Sequence, residues 1–243
     1  MPNLYSNNND GYIQSSNVAT WAGARDDTSG SLNTVTTVAP SFTAAARFAS
    51  RGGGNTYQVS RSFMYFDTSG ITGTVSAATI KIRGYISNDG SIIAVKSDGF
   101  GGDGGTALSN ADLRKIVGYS AGSSLAGNAT DYSNNITGSS WSTSGYNDLT
   151  GTSDLRADMQ NNNVVIICFM DYTNDYLNSA VGSNAYLNCG AYMTNYTGTS
   201  RDPYIEYTLA PTGYANNVNG VASANISKIN GIATASIEKV NGI

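Results

Sequence analysis

Ala78-Thr79-Ile80-Lys81-Ile82-Arg83-Gly84-Tyr85-Ile86 decides the fold. Ile80, Ile82 and Ile86 fall on one face and Lys81, Arg83 and Tyr85 on the other, the period-two pattern of a strand with one buried side. Working outward, Val164-Val165-Ile166-Ile167-Cys168-Phe169-Met170 is apolar at every position and predicts a central strand covered on both faces. Ser62 to Phe66, Ser91 to Lys96 and Tyr204 to Leu209 add further short strands.

Helices are predicted only as connectors. Ser109 precedes Asn110-Ala111-Asp112, with Asp112 at the acidic position of a capping box, and Ser153-Asp154-Leu155 opens in the same way. The Gly99–Thr106 and Gly118–Trp141 stretches read as loops, of a length that is usually functional or packed on itself. Short strands, glycine-rich turns and few helices predict an all-β, jelly-roll-like β-sandwich over residues 1–209, followed by a short repeat tail over 210–243.

The composition removes several chemistries. The chain has 243 residues and no histidine, which excludes a Ser-His-Asp triad, a Cys-His pair and an HExxH zinc site. With 13 Lys+Arg against 17 Asp+Glu and no basic block, it has no footprint for a nucleic-acid backbone. No apolar run approaches the ~20 residues of a membrane span, and the opening Met1-Pro2-Asn3-Leu4-Tyr5 does not read as a secretory leader. Only two acids are glutamates, Glu206 and Glu238, which argues against long surface helices. Cys168 reads as a small buried hydrophobe, and it pairs with Cys189 only if their strands are neighbours.

The tail repeats itself. Residues 218–228, Val-Asn-Gly-Val-Ala-Ser-Ala-Asn-Ile-Ser-Lys, are echoed by 229–239, Ile-Asn-Gly-Ile-Ala-Thr-Ala-Ser-Ile-Glu-Lys, and Val240 begins a third copy. Asn-Gly is a strong hairpin signal, so a β-meander is one reading. Short helices closed by glycine caps at Gly231 and Gly242 are the other, favoured by the dense alanine. Either way Val218, Val221, Ile226, Ile229, Ile232, Ile237, Val240 and Ile243 form an apolar stripe that so few units cannot bury alone. These eight are the anchoring or assembly candidates.

Three constellations invite a chemical reading. Asp98 and Asp103 bracket a Gly-rich run and are calcium candidates, although the spacing fits no EF-hand and a plain loop is the preferred reading. Asp26 with Asp27, Asp171 with Asp175, and Asp148 with Asp154 resemble glycosidase pairs in composition only; turn and cap roles suit them better. Trp21, Trp141, Tyr132, Tyr146, Tyr192 and Tyr196 are candidates for sugar stacking, because flat aromatic faces beside Asn and Asp suit saccharides. Tyr119 is a further loop tyrosine of the same kind.

Arg61-Ser62-Phe63-Met64-Tyr65-Phe66-Asp67-Thr68-Ser69-Gly70-Ile71, followed by Val75 to Ile82, resembles the core motif of DNRLRE-type, carbohydrate-binding-like β-sandwiches. Asp10-Gly11-Tyr12-Ile13 resembles their opening segment and Arg201-Asp202-Pro203-Tyr204-Ile205-Glu206-Tyr207-Thr208 their closing strand. Thr68 departs from the pattern, standing where the family carries an aliphatic residue. The tail's Ile-Ser-Lys-Ile-Asn-Gly-Ile-Ala is similar to C-terminal repeats of tailed-phage structural proteins. Together these resemblances imply a non-enzymatic virion surface protein, a head decoration, fibre or tail appendage, made in the host cytoplasm. Its implied partners are other capsid or tail proteins, further copies of itself in a trimer or similar assembly, and host glycans. A free secreted carbohydrate-binding module and a polysaccharide depolymerase are the alternatives.

Overall fold

The computed structural model describes residues 1–33, 41–51, 54–182, 185–194, 199–210, 221, 226 and 228–234; for 41–45, 50, 51, 54, 55 and 199 it describes the backbone alone. The strands are β1 (Asn3–Tyr5), β2 (Gly11–Ser15), β3 (Gly30–Asn33), β4 (Ser41–Arg51), β5 (Gly54–Asp67), β6 (Val75–Asn88), β7 (Ser91–Lys96), β8 (Ile136–Thr137), β9 (Tyr146–Thr150), β10 (Val164–Asp171), β11 (Tyr186–Tyr192) and β12 (Tyr204–Leu209), with β13 (Lys228–Ile229) and β14 (Ile232–Ala233) in the tail. Two short helices, α1 (Trp21–Arg25) and α2 (Ser153–Asn161), connect them.

All twelve strands of the main sheet pair antiparallel, and β5 is where the sheet folds over on itself. Residues 54–60 of β5 pair with β4, residues 62–67 pair with β10, and residues 60–63 pair with β2. One layer therefore carries β1, β12, β6, β9, β11 and β4, and the other carries the end of β5 with β10, β7, β8, β2 and β3. The expected all-β sandwich is what forms.

The main core lies between the layers. Val75, Ala78, Ile80, Ile82, Leu149, Cys189, Ala191 and Ile205 face Met64, Phe66, Ile92, Ala94, Val165, Ile167 and Phe169. Each large apolar side chain buried there contributes roughly 1.5–3 kcal/mol. Ile80 and Ile82 have no exposed surface and Tyr85 points outward, as the alternation predicts, but a bulge between Gly84 and Ile86 breaks the period and turns the half-buried Ile86 to the outer face, opposite Gly190.

β10 is covered on both sides, also as expected. Its second face, with Phe63 and Tyr65 of β5 and Ile93 and Val95 of β7, is roofed by Phe100, Leu108, Leu113, Ile116, Leu125 and Tyr176. The long loops thus form a third layer packed on the sandwich. Phe100 takes a left-handed backbone at φ 52° to reach this core, and Gly101, Gly102 and Gly104 follow with φ of 75°, 83° and 76°. A Cβ at Gly104 would come within 3.1 Å of the Tyr65 ring, so this glycine run is set by backbone geometry and close approach.

Local signals fare differently. Ser109 and Asp112 do form a capping box, but on a single 3₁₀ turn over Asn110–Arg114. Thr152, not Ser153, caps α2: its Oγ1 accepts from the Leu155 amide at 3.3 Å. Thr68 is buried at the family's aliphatic position and donates from Oγ1 to the Asn162 carbonyl at 2.6 Å, which satisfies its hydroxyl. Cys168 and Cys189 are both free and buried; they belong to the two different cores and to strands that do not pair.

The tail corrects the preferred helical reading. Lys228 and Ile229 pair with Ala233 and Ile232 around Asn230 and Gly231, whose φ values are 50° and 84°. Two successive left-handed residues are the type I′ requirement of a two-residue hairpin, whose twist matches its strands, whereas a helix cap needs one. Val221 and Ile232 are 47% and 56% exposed, and Ile226 and Ile229 are half-buried. Val218, Ile237, Val240 and Ile243 lie outside the described residues.

Candidate ligand-binding face

The outer surface of the first layer gathers tyrosines from five strands. Register places Tyr204 of β12 opposite Tyr5 of β1 and Lys81 of β6, Lys81 opposite Asp148 of β9, and Arg83 of β6 opposite Tyr146 of β9. The Tyr146 and Tyr204 rings meet edge to face at 5.2 Å, and Tyr5 lies 5.5 Å from Tyr204. Two residues along β6 from Arg83, Tyr85 reaches Tyr192 of β11 at 5.7 Å. Guanidinium groups cover two of these rings, Arg83 at 6.0 Å from Tyr146 and Arg201 at 4.6 Å from Tyr192.

These rings stay accessible. Tyr5 is 44% exposed and Tyr85 39%, with Tyr146, Tyr192 and Tyr204 half-buried. A glycine makes room for one of them. At Gly190 a Cβ would fall 2.6 Å from Cε1 of Tyr85, so the ring rests directly on the β11 backbone. Lys81 is held between Asp148 at 2.6 Å and Glu206 at 3.8 Å, and its hydrogen bond to Asp148 raises its pKa. The Tyr146 hydroxyl donates toward the carbonyls of Ser200 and Asp202, and burial pushes its pKa up to about 12. The face thus offers flat rings flanked by fixed donors and acceptors. Such a surface suits an uncharged, ring-shaped, hydroxyl-rich ligand.

Of the stacking candidates read from sequence, Tyr146 and Tyr192 belong to this face. Trp141 and Tyr132 do not: they are 6% and 1% exposed and sit in the main core. Tyr132 donates its hydroxyl to Asp158 at 2.6 Å, and Trp141 folds in against Gly84, whose missing side chain leaves space for the indole. Trp21 is half-buried, donating Nε1 to Asn178 at 3.0 Å with its ring against Tyr57. Tyr196 lies outside the described residues. Tyr119 is structural: its hydroxyl lies 2.8 Å from the Arg25 carbonyl and 2.6 Å from Asp26, and its ring faces Arg61 at 5.0 Å. Tyr5, Tyr85 and Tyr204 were missed, because each alone looks like an ordinary strand tyrosine.

The acids have structural partners. Asp98 pairs with Lys115 at 3.6 Å, and Asp103 accepts from the Gly105 amide at 2.8 Å, closing an Asx turn. Asp175 is clamped by Arg61, Asp171 caps the turn after β10, and Asp148 pairs with Lys81. Asp26 meets Arg25, Asp27 accepts from the Ser16 amide, and Asp154 lies in the first turn of α2. A concavity of about 590 Å³ opens beside Lys96, Asp103, Tyr132 and Asn161–Asn163.

The chain matches no protein-family model and no curated protein at significant similarity.

Proposed function

We propose that this chain is a non-enzymatic surface protein of a phage particle, which presents its tyrosine face to host glycans and uses its repeat tail to join the particle. The observation that carries the glycan reading is the convergence of Tyr5, Tyr85, Tyr146, Tyr192 and Tyr204 on one outer sheet face, with Arg83 and Arg201 fixed over two of the rings. Clustered exposed aromatics of this kind mark binding surfaces more often than solvent-facing decoration.

Support for the particle comes from the tail. Its resemblance to phage structural repeats stands beside an exposed hairpin whose Ile232 remains largely uncovered, and Val221 before it is exposed as well. A short hairpin with a free apolar side gains stability by docking, either on a particle protein or on other copies of the same chain.

A panel of immobilised bacterial surface polysaccharides tests the glycan reading; binding to at least one neutral polymer is expected, and no binding across the panel would remove it. Imaging of particles labelled at Met1 tests the location. Label on the particle surface supports a virion component, whereas chain found only free in the medium would favour a secreted carbohydrate-binding module with the same face.

A further inference from the structure

We infer that Asp10 and Asp202 hold a hard divalent cation of the calcium type, tying the start of the sandwich to its end. These acids come from the opening and closing segments of the domain, and the pairing of β1 with β12 brings them together. Asp10 has no exposed surface and Asp202 is 6% exposed. Each leaves Oδ1 buried without a hydrogen-bond partner.

The imbalance at Asp10 is instructive. Its Oδ2 takes all three donors, the Thr194 amide at 2.9 Å, Thr194 Oγ1 at 2.7 Å and Ser6 Oγ at 3.4 Å, while Oδ1 takes none. Ser6 Oγ and Thr194 Oγ1 also make a short contact with each other, and the Ser6 amide donates to the Pro203 carbonyl at 3.0 Å. Carboxylate and hydroxyl oxygens thus crowd together, and among the described residues no basic side chain is bonded to either acid. Burial raises the Asp10 pKa to about 6, and the charge of Asp202 adds to that rise.

Two buried carboxylates without a counter-charge are costly, and a divalent cation neutralises both. An all-oxygen set of carboxylates and hydroxyls, with no sulfur or imidazole, selects calcium-like ions over zinc or copper. This site is separate from Asp98 and Asp103, each of which already has a partner of its own. It also lies beside the tyrosine face. Ser6 follows Tyr5, Asp202 precedes Tyr204 by two residues, and Tyr146 donates to the Asp202 carbonyl.

The test uses the full chain stripped with EDTA and titrated with CaCl₂ by calorimetry, with thermal unfolding in parallel. One equivalent should bind, and saturating calcium should raise Tm by about 5 °C or more. Terbium luminescence, excited through the nearby tyrosines, should appear on addition of Tb³⁺. Asp10→Asn and Asp202→Asn should each abolish binding and luminescence, while the double variant Asp98→Asn/Asp103→Asn keeps both. No heat, no Tm shift and no luminescence in the wild-type chain would overturn the inference without reference to any variant. Calcium binding retained in Asp10→Asn and lost in Asp98→Asn/Asp103→Asn would overturn it as well.

Discussion

Arg61 grips both carboxylate oxygens of Asp175, Nε to Oδ2 and Nη2 to Oδ1, each at 2.7 Å, and neither side chain has exposed surface. Burial works against the charge on Arg61, and the facing carboxylate more than offsets it, so the pKa of Arg61 is raised. The same guanidinium donates to the carbonyls of Leu113 and Arg25, while Arg25 donates to those of Asp175 and Ser123. One strand residue therefore pins α1, the 109–128 loops and the turn after β10 onto the second face of the sheet.

Arg61→Met should destabilise the chain by about 3–5 kcal/mol, because it leaves a buried carboxylate without its main partner. Denaturant unfolding measures this. A double variant Arg61→Met/Asp175→Leu should recover much of the loss, since no uncompensated acid then remains at the clamp.

Gly190→Ala tests how the tyrosine face is seated. The new methyl would fall 2.4 Å from Cγ2 of Ile86 and 2.6 Å from the Tyr85 ring. Tyr85 must lift off the sheet, so glycan binding should weaken more than stability does. Thermal unfolding and binding to the recognised polymer, measured on the same preparation, separate the two effects.

Asp171 sets a pH dependence. Burial pushes its pKa up to about 6 from 3.8, although the Asn174 and Ser91 amides partly counter this by hydrogen bonding. An acid raised on folding binds more protons folded than unfolded between those two values. Its contribution is therefore fully present below pH ~4 and is lost as pH rises to ~6, by up to about 3 kcal/mol. Unfolding midpoints taken in chelator from pH 4 to 7 should fall with pH. Asp171→Asn, which keeps an acceptor oxygen for the cap, should lessen that slope, with Asp10, raised over the same range, supplying the remainder.

The tail is expected to be separable from the sandwich. No described tail residue belongs to a buried core cluster. Deleting residues 213–243 should leave the sandwich's Tm within about 2 °C while abolishing incorporation into particles and any self-association, read by particle composition and light scattering. Unchanged incorporation and oligomeric state would remove the anchoring role.

The strands were legible in the sequence because their information is local: the alternation of Ile80 and Ile82 and the unbroken apolar run of β10 each fix a face. The tyrosine face was only half legible. Tyr5 and Tyr204 meet through register between segments at opposite ends of the chain, Tyr85 meets Tyr192 across β6 and β11, and nothing in a single strand announces either pairing. Trp141 misled for a related reason, since a polar loop carries it into the core through space left by Gly84. In the tail, alanine density pointed to helix, while the two-residue Asn-Gly geometry decided for a hairpin. Asp10 and Asp202 were visible only as parts of strand motifs; that each leaves a buried oxygen unpaired depends on tertiary placement.

The most direct measurement is the affinity of the recognised polysaccharide for three proteins: wild type, Tyr85→Ala/Tyr192→Ala, and Asn161→Ala in the 590 Å³ concavity. An aromatic contact contributes ~0.5–1.5 kcal/mol, so loss of two rings should weaken binding by about tenfold or more. Asn161→Ala should bind like the wild type. Full affinity in the tyrosine double variant, with binding lost in Asn161→Ala, would contradict the assignment of the sheet face as the binding surface.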